Sequence, residues 1–474
     1  MQLAFADWIT DVLKVGCRAS HAIESQRGTI VASVVVGAAS LVCVASAANG
    51  QVVWPPIPPQ PTPWNALQVL EPVPFVQRWE MSGIEDILPE DTPVKTRLQP
   101  GYEIRGIRAG AWMFQPSLTA GGFYSSNVFA SPTDKHDDMI FRLHPSLRVD
   151  SLWERHSLSV QADVESESYL NNPGLDQVNA SVRARGRFDL WHDTAILTNF
   201  RAAHLHEDVG SLSSPAGAVQ PTPYDFYTGD VTYWRQFNRL SVSGGMLVDS
   251  YDYGPTRAQN GSVINQDSRD GQVYVGHGRL EYVFSPYLGV FAAAEGNRRE
   301  LRGLPGRSFS SDGYRTLNGV NLELSRLLKA EIAVGYADQM FDAASIARAA
   351  GPAYRFLLTW SPTRLLDVKF RAESTVTQAV DTDVSGIRAE SLQLGFDYEL
   401  KRNVIVSAAA IYERDRFFGQ IRNDKVFATL EEVRYMLNRF WSVSLRHQYI
   451  NRESNIPTAT YDRHEVGLNV TARF

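Results

Sequence analysis

Leu366-Asp367-Val368-Lys369-Phe370-Arg371-Ala372-Glu373 decides how this chain is read: four apolar residues alternate with four charged ones. Period-two alternation describes a strand with one apolar and one polar face. The texture recurs at 392–400, where Leu392, Leu394, Phe396, Tyr398 and Leu400 alternate with Gln393, Gly395, Asp397 and Glu399. It recurs again at 158–165, where Leu158, Val160, Ala162 and Val164 alternate with Ser159, Gln161, Asp163 and Glu165. A soluble sandwich alternates in the same way, so the connections must separate the two architectures.

The connections come in two kinds, taken in turn. Tight ones are expected near 153–156, 191–193, 236–239, 285–286, 327–329, 361–364, 401–403 and 438–440. Long polar ones are expected near 125–138, 170–178, 206–223, 252–268, 302–312, 341–350, 377–387, 414–424 and 452–459. Short turns at one end and long loops at the other mark a transmembrane antiparallel up-and-down β-barrel. Eight turns and nine loops give about 18 strands, within a range of 16–18. In lipid every backbone group must be bonded internally, and a closed barrel does so without edges.

Aromatic placement agrees. Trp112, Trp153, Trp191, Trp234, Trp360 and Trp441 all fall at the tight-turn ends, as a periplasmic aromatic girdle would. Tyr124, Tyr169, Tyr251, Tyr314, Tyr449 and Tyr461 fall towards the other end. The final residues alternate back from Phe474 through Ala472, Val470 and Leu468, as a C-terminal assembly signal does. Barrel-assembly machinery, outer-membrane lipid and lipopolysaccharide are the expected partners. Pro116 and Pro145 interrupt the first two strands, where a proline costs a ladder bond.

Ahead of the barrel, Thr29 to Ala48 is uncharged and apolar and follows Arg18 and Arg27. Its end carries Ala45 and Ala47 in the small-x-small pattern of a secretory cleavage site, placing the cut between Ala47 and Ala48. A single membrane anchor is the competing reading. Cys17 and Cys43, the two cysteines of the chain, both precede that cut, so an exported form has neither disulfides nor thiolate metal sites. Eight of the 24 prolines lie between Pro55 and Pro74, a composition that extends rather than packs. The expected divisions are therefore a signal peptide at 1–47, a Pro-rich periplasmic extension at 48–108 and the barrel at 109–474.

The residues 109–160 (AGAWMFQPSLTAGGFYSSNVFASPTDKHDDMIFRLHPSLRVDSLWERHSLSV) resemble the putative β-barrel porin type 2 family. HLHEDVGS at 204–211, FNRLSVSGG at 237–245, DSRDGQVYVG at 267–276 and YELKRNVIVSAA at 398–409 extend the likeness over about 105–474. The resemblance implies an outer-membrane barrel of a Gram-negative bacterium, often found beside exopolysaccharide genes. It suggests a pore and supplies no catalytic residues.

The expected function is a porin-like channel passing small solutes or assisting exopolysaccharide export, with polysaccharide as a partner in the second case. The alternative is a structural or adhesive barrel acting through its loops or its Pro-rich arm. No enzyme is expected, because no nucleophile–base–acid set stands out, and no cofactor is expected. With 46 basic and 52 acidic residues the net charge is −6, which offers no nucleic-acid surface. Candidate pore-lining residues are Arg142, Arg148, Asp163, Glu165, Arg183, Arg185, Arg187, Asp367, Lys369, Arg371 and Glu373. Arg183, Arg185 and Arg187 read either as an anion-attracting ladder or as partners of Glu165 and Asp163 on the neighbouring strand. His204 and His206 with Glu207 and Asp208 are read as a solvated rim in preference to a metal site. Loop 206–223 or 252–268 is the expected inward-folding constriction.

Overall fold

In the computed structural model the described residues are Val94, Gln99 and 101–474, apart from 210, 212–213, 216, 307, 326, 345, 379–385 and 419–420. The cleavage site at Ala47 and Ala48 and the proline cluster lie outside the described residues.

Eighteen long strands form one closed antiparallel barrel. They are β1 (Trp112–Ser125), β2 (Asp138–Ser151), β3 (Ser157–Tyr169), β4 (Gln177–Trp191), β5 (Thr194–Glu207) and β6 (Thr222–Phe237). There follow β7 (Leu240–Tyr253), β8 (Gly271–Ser285), β9 (Leu288–Leu301), β10 (Ser311–Ser325), β11 (Leu328–Phe341) and β12 (Ala349–Thr363). The circuit ends with β13 (Leu366–Gln378), β14 (Gly386–Lys401), β15 (Val404–Phe418), β16 (Asn423–Met436), β17 (Trp441–Ser454) and β18 (Tyr461–Arg473). Each strand pairs with its sequence neighbours, and β1 pairs with β18 from Ser117↔Arg473 to Ser125↔Glu465, which closes the ring.

The turns at one end are two to five residues long, from 192–193 to 152–156, and the connections at the other end run from four residues at 419–422 to seventeen at 254–270. The local chemistry explains the tightest of them. Asn238 takes a left-handed backbone (φ 54°) at the turn between β6 and β7, a conformation that asparagine tolerates better than most residues. All six barrel tryptophans sit at the short-turn end, where Trp112 and Trp153 meet edge-on with ring centroids 5.3 Å apart.

The alternation places the apolar face outwards. Phe141, Leu143, Leu394, Phe396, Leu445 and Leu468 are all exposed on the outer wall, while Arg142 and Asp397 beside them turn inwards and are buried. The two prolines mark the irregular part. Pro116 ends the part of β1 that does not pair with β18, and a short strand, Ile107–Ala109, pairs there with Trp112–Phe114 instead. The ladder between β2 and β3 lapses over His144 and Pro145, resuming at Ser146↔Asp163.

Candidate functional site

The site is the lumen, and its chemistry follows from the inward half of each alternating strand. Arg142 of β2 lies beneath the closure seam and donates to Glu167 of β3 at 2.8 Å and to Glu465 of β18 at 2.5 Å. Its guanidinium also stacks 4.3 Å from the Phe123 ring. Gln177 joins Glu167 (2.9 Å) to Asp208 (3.1 Å) at the head of the loop after β5. Burial, reinforced by the Glu167 carboxylate, pushes the Asp208 carboxyl up to about 6.

On the far wall, Arg279 of β8 reaches Glu331 of β11 at 3.2 Å, and Arg355 of β12 binds the same carboxylate. Arg315 of β10 meets Glu373 of β13 at 3.0 Å. These pairs span up to three strands, so they cross the lumen face instead of running along one ladder. Apolar side chains share this wall: Phe291, Ala293, Leu317, Ala333 and Ala353 form a buried cluster with Arg279 3.6 Å above the Phe291 ring.

Every candidate pore-lining residue stands on the polar face of its strand. Asp367 accepts from Ser361 (2.6 Å), Lys369 donates to Asp397 (3.1 Å), and Arg148 and Arg187 bind Asp150 and Asp189 two positions along their own strands. Asp163 lies 3.4 Å from His144, and Glu165 is buried beside Glu167. Arg371 shares its strand face with Lys369 and Glu373.

The expected pairing of the arginine ladder is corrected. The β3–β4 register sets Arg183 opposite Gln161, Arg185 opposite Ser159 and Arg187 opposite Ser157, while Glu165 faces Asn179 and Asp163 faces Ser181. Loop 170–176 is tightened by a short 3-10 turn, Pro173–Leu175, which sets the strands four residues from the register expected from loop length. On its other side Arg183 opposes Arg201 of β5. The three arginines and Arg201 therefore share one inward face, with uncharged residues opposite the first three on β3, Thr228 opposite Arg201 on β6, and Arg187 bound to Asp189.

The expected rim group also divides. His204 and His206 share the outer face, where His204 meets Asp225 at 2.7 Å, while Glu207 turns inwards to bind Arg269 at 2.6 Å. Among the described residues no group of three or more histidines, cysteines and carboxylates is placed to hold a metal.

Three long loops fold towards the lumen at the long-loop end. Loop 126–137 places Ala130 against Ile411, Val426, Ala428, Ile450 and Tyr461, inward residues of β15–β18. Val128, Leu175 and Val209 join loops 126–137, 170–176 and 208–221 in one buried cluster. Loop 208–221 reaches furthest: the Ser211 carbonyl accepts from Arg452 of β17 at 3.5 Å, six strands away around the ring. It is braced behind by loop 254–270, where Val219 donates to the Arg257 carbonyl at 2.9 Å.

At the short-turn end the chain ahead of the barrel meets the inner wall. The Val94 amide donates to Asp367 at 2.5 Å, the Gln99 side chain donates to Glu399 at 2.7 Å, and Val94 packs on Ile405 and Met436. These inward apolar contacts were not anticipated. The unbroken apolar run Val404-Ile405-Val406 and Ala408-Ala409-Ala410-Ile411 is their sequence signal, because a strand covered on both faces loses its alternation.

A closed barrel with an apolar outer belt, a charged inner face and loops folded into one mouth defines a porin-like outer-membrane barrel. The chain belongs to the family described as "Putative beta-barrel porin 2", whose model matches residues 99–474. No curated protein matches it significantly. Among solved structures it is similar to OpdL of Pseudomonas aeruginosa (14% identity, 77% of this chain and 98% of that chain, TM-score 0.41). It is also similar to OpdQ of Pseudomonas aeruginosa (11% identity, 77% and 97% covered, TM-score 0.42). A third is the siderophore receptor PirA of the same organism (10% identity, 76% and 80% covered, TM-score 0.41). Likeness at this level carries no functional argument; the family and the strand ladder carry the assignment.

Proposed function

We propose that this protein is a diffusion channel for small hydrophilic solutes in the outer membrane of a Gram-negative bacterium. The observation that carries the reading is the basic wall of Arg183, Arg185, Arg187 and Arg201 beneath a mouth narrowed by loop 208–221. Barrels of 16–18 strands leave an aqueous lumen, whereas eight strands are filled by their own side chains. Charged side chains lining a lumen sort solutes by sign, and this cationic wall favours anions. The candidate lining residues act as field-setting groups, and the chain performs no chemistry on what it passes.

Export completes the reading. Residues 1–47 serve as a signal peptide cut before Ala48, the short turns and 48–108 face the periplasm, and the long loops face outwards. Leu468, Val470 and Phe474 are read by barrel-assembly machinery; the outward exposure of Leu468 and Val470 supports this. Lipopolysaccharide surrounds the outward rim. Assistance to exopolysaccharide export is the second function that the family resemblance suggests. Loops 126–137 and 208–221 disfavour it, since a polymer would require both to leave the mouth. A structural or adhesive role would leave the basic wall without a purpose.

Liposome swelling with purified protein tests the proposal. Anionic and neutral solutes of sugar size are expected to enter, anions faster. Liposomes that stay impermeable to every small solute, even after loop 208–221 is replaced by a short Gly/Ser turn, would leave the structural role.

A further inference from the structure

Polar groups on the outer wall need an explanation that the lumen does not supply. Glu431, His447 and His464 lie on neighbouring strands β16, β17 and β18 and form a hydrogen-bonded chain. Glu431 Oε2 lies 2.8 Å from His447 Nδ1, and His447 Nε2 lies 3.3 Å from His464 Nδ1. The two imidazole rings stack with centroids 5.6 Å apart, and Tyr449 lies 4.5 Å from His464. Their strand parity is that of Phe427, Val433, Leu445 and Val466, all exposed on the apolar belt. Glu431 and His447 are themselves 46% and 41% exposed.

The depth of His447 makes the placement costly. His447 is the seventh residue of β17, counted from Trp441 at the short-turn end. With a rise near 3.3 Å per residue and a tilt near 40°, that is about 15 Å from the end of the strand, close to the middle of the hydrocarbon layer. Lipid headgroups do not reach this depth, and acyl chains offer no hydrogen bonds.

We propose that the outer wall of β16–β18 is an interface between two copies of this chain. Only protein covers polar groups at mid-depth, and a protein neighbour there must itself keep every backbone bond satisfied. The bonds above use one oxygen of Glu431 and one nitrogen of His464, so the patch keeps an acceptor and a ring nitrogen for a neighbour. A patch with both is complementary to itself, as a two-fold interface requires. Next along the wall, the outward positions Ala120 and Gly122 of β1 are small and let a second barrel approach closely; a Cβ added at Gly122 would meet nothing within 4 Å.

The inference rests on the outer-membrane reading, and the test separates the two. No cysteine follows Cys43, so single-cysteine variants report cleanly. Leu445→Cys lies in the patch and Leu280→Cys on β8 lies across the barrel; both positions are 53% exposed. In native outer-membrane fractions, oxidation is expected to yield dimers of L445C and not of L280C, and light scattering of the detergent-extracted protein is expected to give twice the chain mass. Glu431→Leu with His447→Leu is expected to reduce the cross-linked fraction at least tenfold while the barrel stays folded by heat-modifiability. Equal cross-linking at both positions, a monomer mass, or dimers indifferent to the double substitution would overturn the interface. Absence from the outer-membrane fraction would instead overturn the membrane reading.

Discussion

Arg142 and Glu465 meet at 2.5 Å across the seam where the last strand joins the first, with Arg142 buried and Glu465 only partly exposed. The pair reads the closure directly: it exists only when β18, β1 and β2 lie side by side. With Glu167 on its other side, Arg142 is the shared cation of two carboxylates.

Removing that cation should leave the buried Glu167 carboxylate without its ion-pair partner and weaken the hold on Glu465. Arg142→Ala is expected to cost about 3–5 kcal/mol. The exposed pair Lys135–Asp462, broken by Lys135→Ala, should cost less than about 1 kcal/mol. The midpoint of heat-modifiability on gels measures both. Equal shifts would mean that the seam pair does not hold the closure.

Facing is tested on one strand. Phe370 stands on the outer face, 5.4 Å from the Phe356 ring, and Arg371 faces the lumen. Phe370→Arg should cost about 2–4 kcal/mol near mid-bilayer, and Arg371→Ala much less. Urea-unfolding midpoints in liposomes give the comparison; the opposite order would invert the faces.

Orientation follows from the turn lengths. Asn438→Cys, in the turn before β17, should resist an impermeant thiol reagent on whole cells, and Gly217→Cys in loop 208–221 should react. Labelling at 438 alone would reverse the topology.

Loop docking should depend on pH through Asp208. Its carboxyl titrates near 6, above the usual 3.8, because burial and Glu167 disfavour the charge; Gln177, Arg463 and Arg142 face it as well. The folded state therefore binds more protons between about pH 4 and 6, and docking weakens as pH rises through that window. Fluctuation of the open-channel current is expected to increase from pH 4 to pH 7, and Asp208→Asn should remove the dependence. A pH response unchanged in that variant would exclude this carboxyl.

Much of the fold was legible because a membrane wall forces a strict alternation. Leu366 to Glu373 reads as one wall strand, and the expected turns at 191–193, 285–286 and 401–403 fall within two residues of those observed. Less legible was whatever depends on packing inside the barrel. Ile411 and Ile450 point inwards because loop 126–137 covers them, a contact between residues far apart in sequence. The Arg183 ladder was misregistered because a 3-10 turn inside loop 170–176 changes the pairing without changing the loop's composition. Glu431 and His447 lie in adjacent strands, yet only the register set them side by side on the outer face.

The central claim is a water-filled pore narrowed by loop 208–221 and lined by the basic wall. Single-channel recording in planar bilayers tests it most directly, on the native protein and on Arg183→Ala/Arg185→Ala/Arg201→Ala. The account predicts discrete conductance steps with a reversal potential favouring anions, shifted towards cations in the triple variant. No conductance steps from folded protein, or a reversal potential unmoved by the three substitutions, would contradict it.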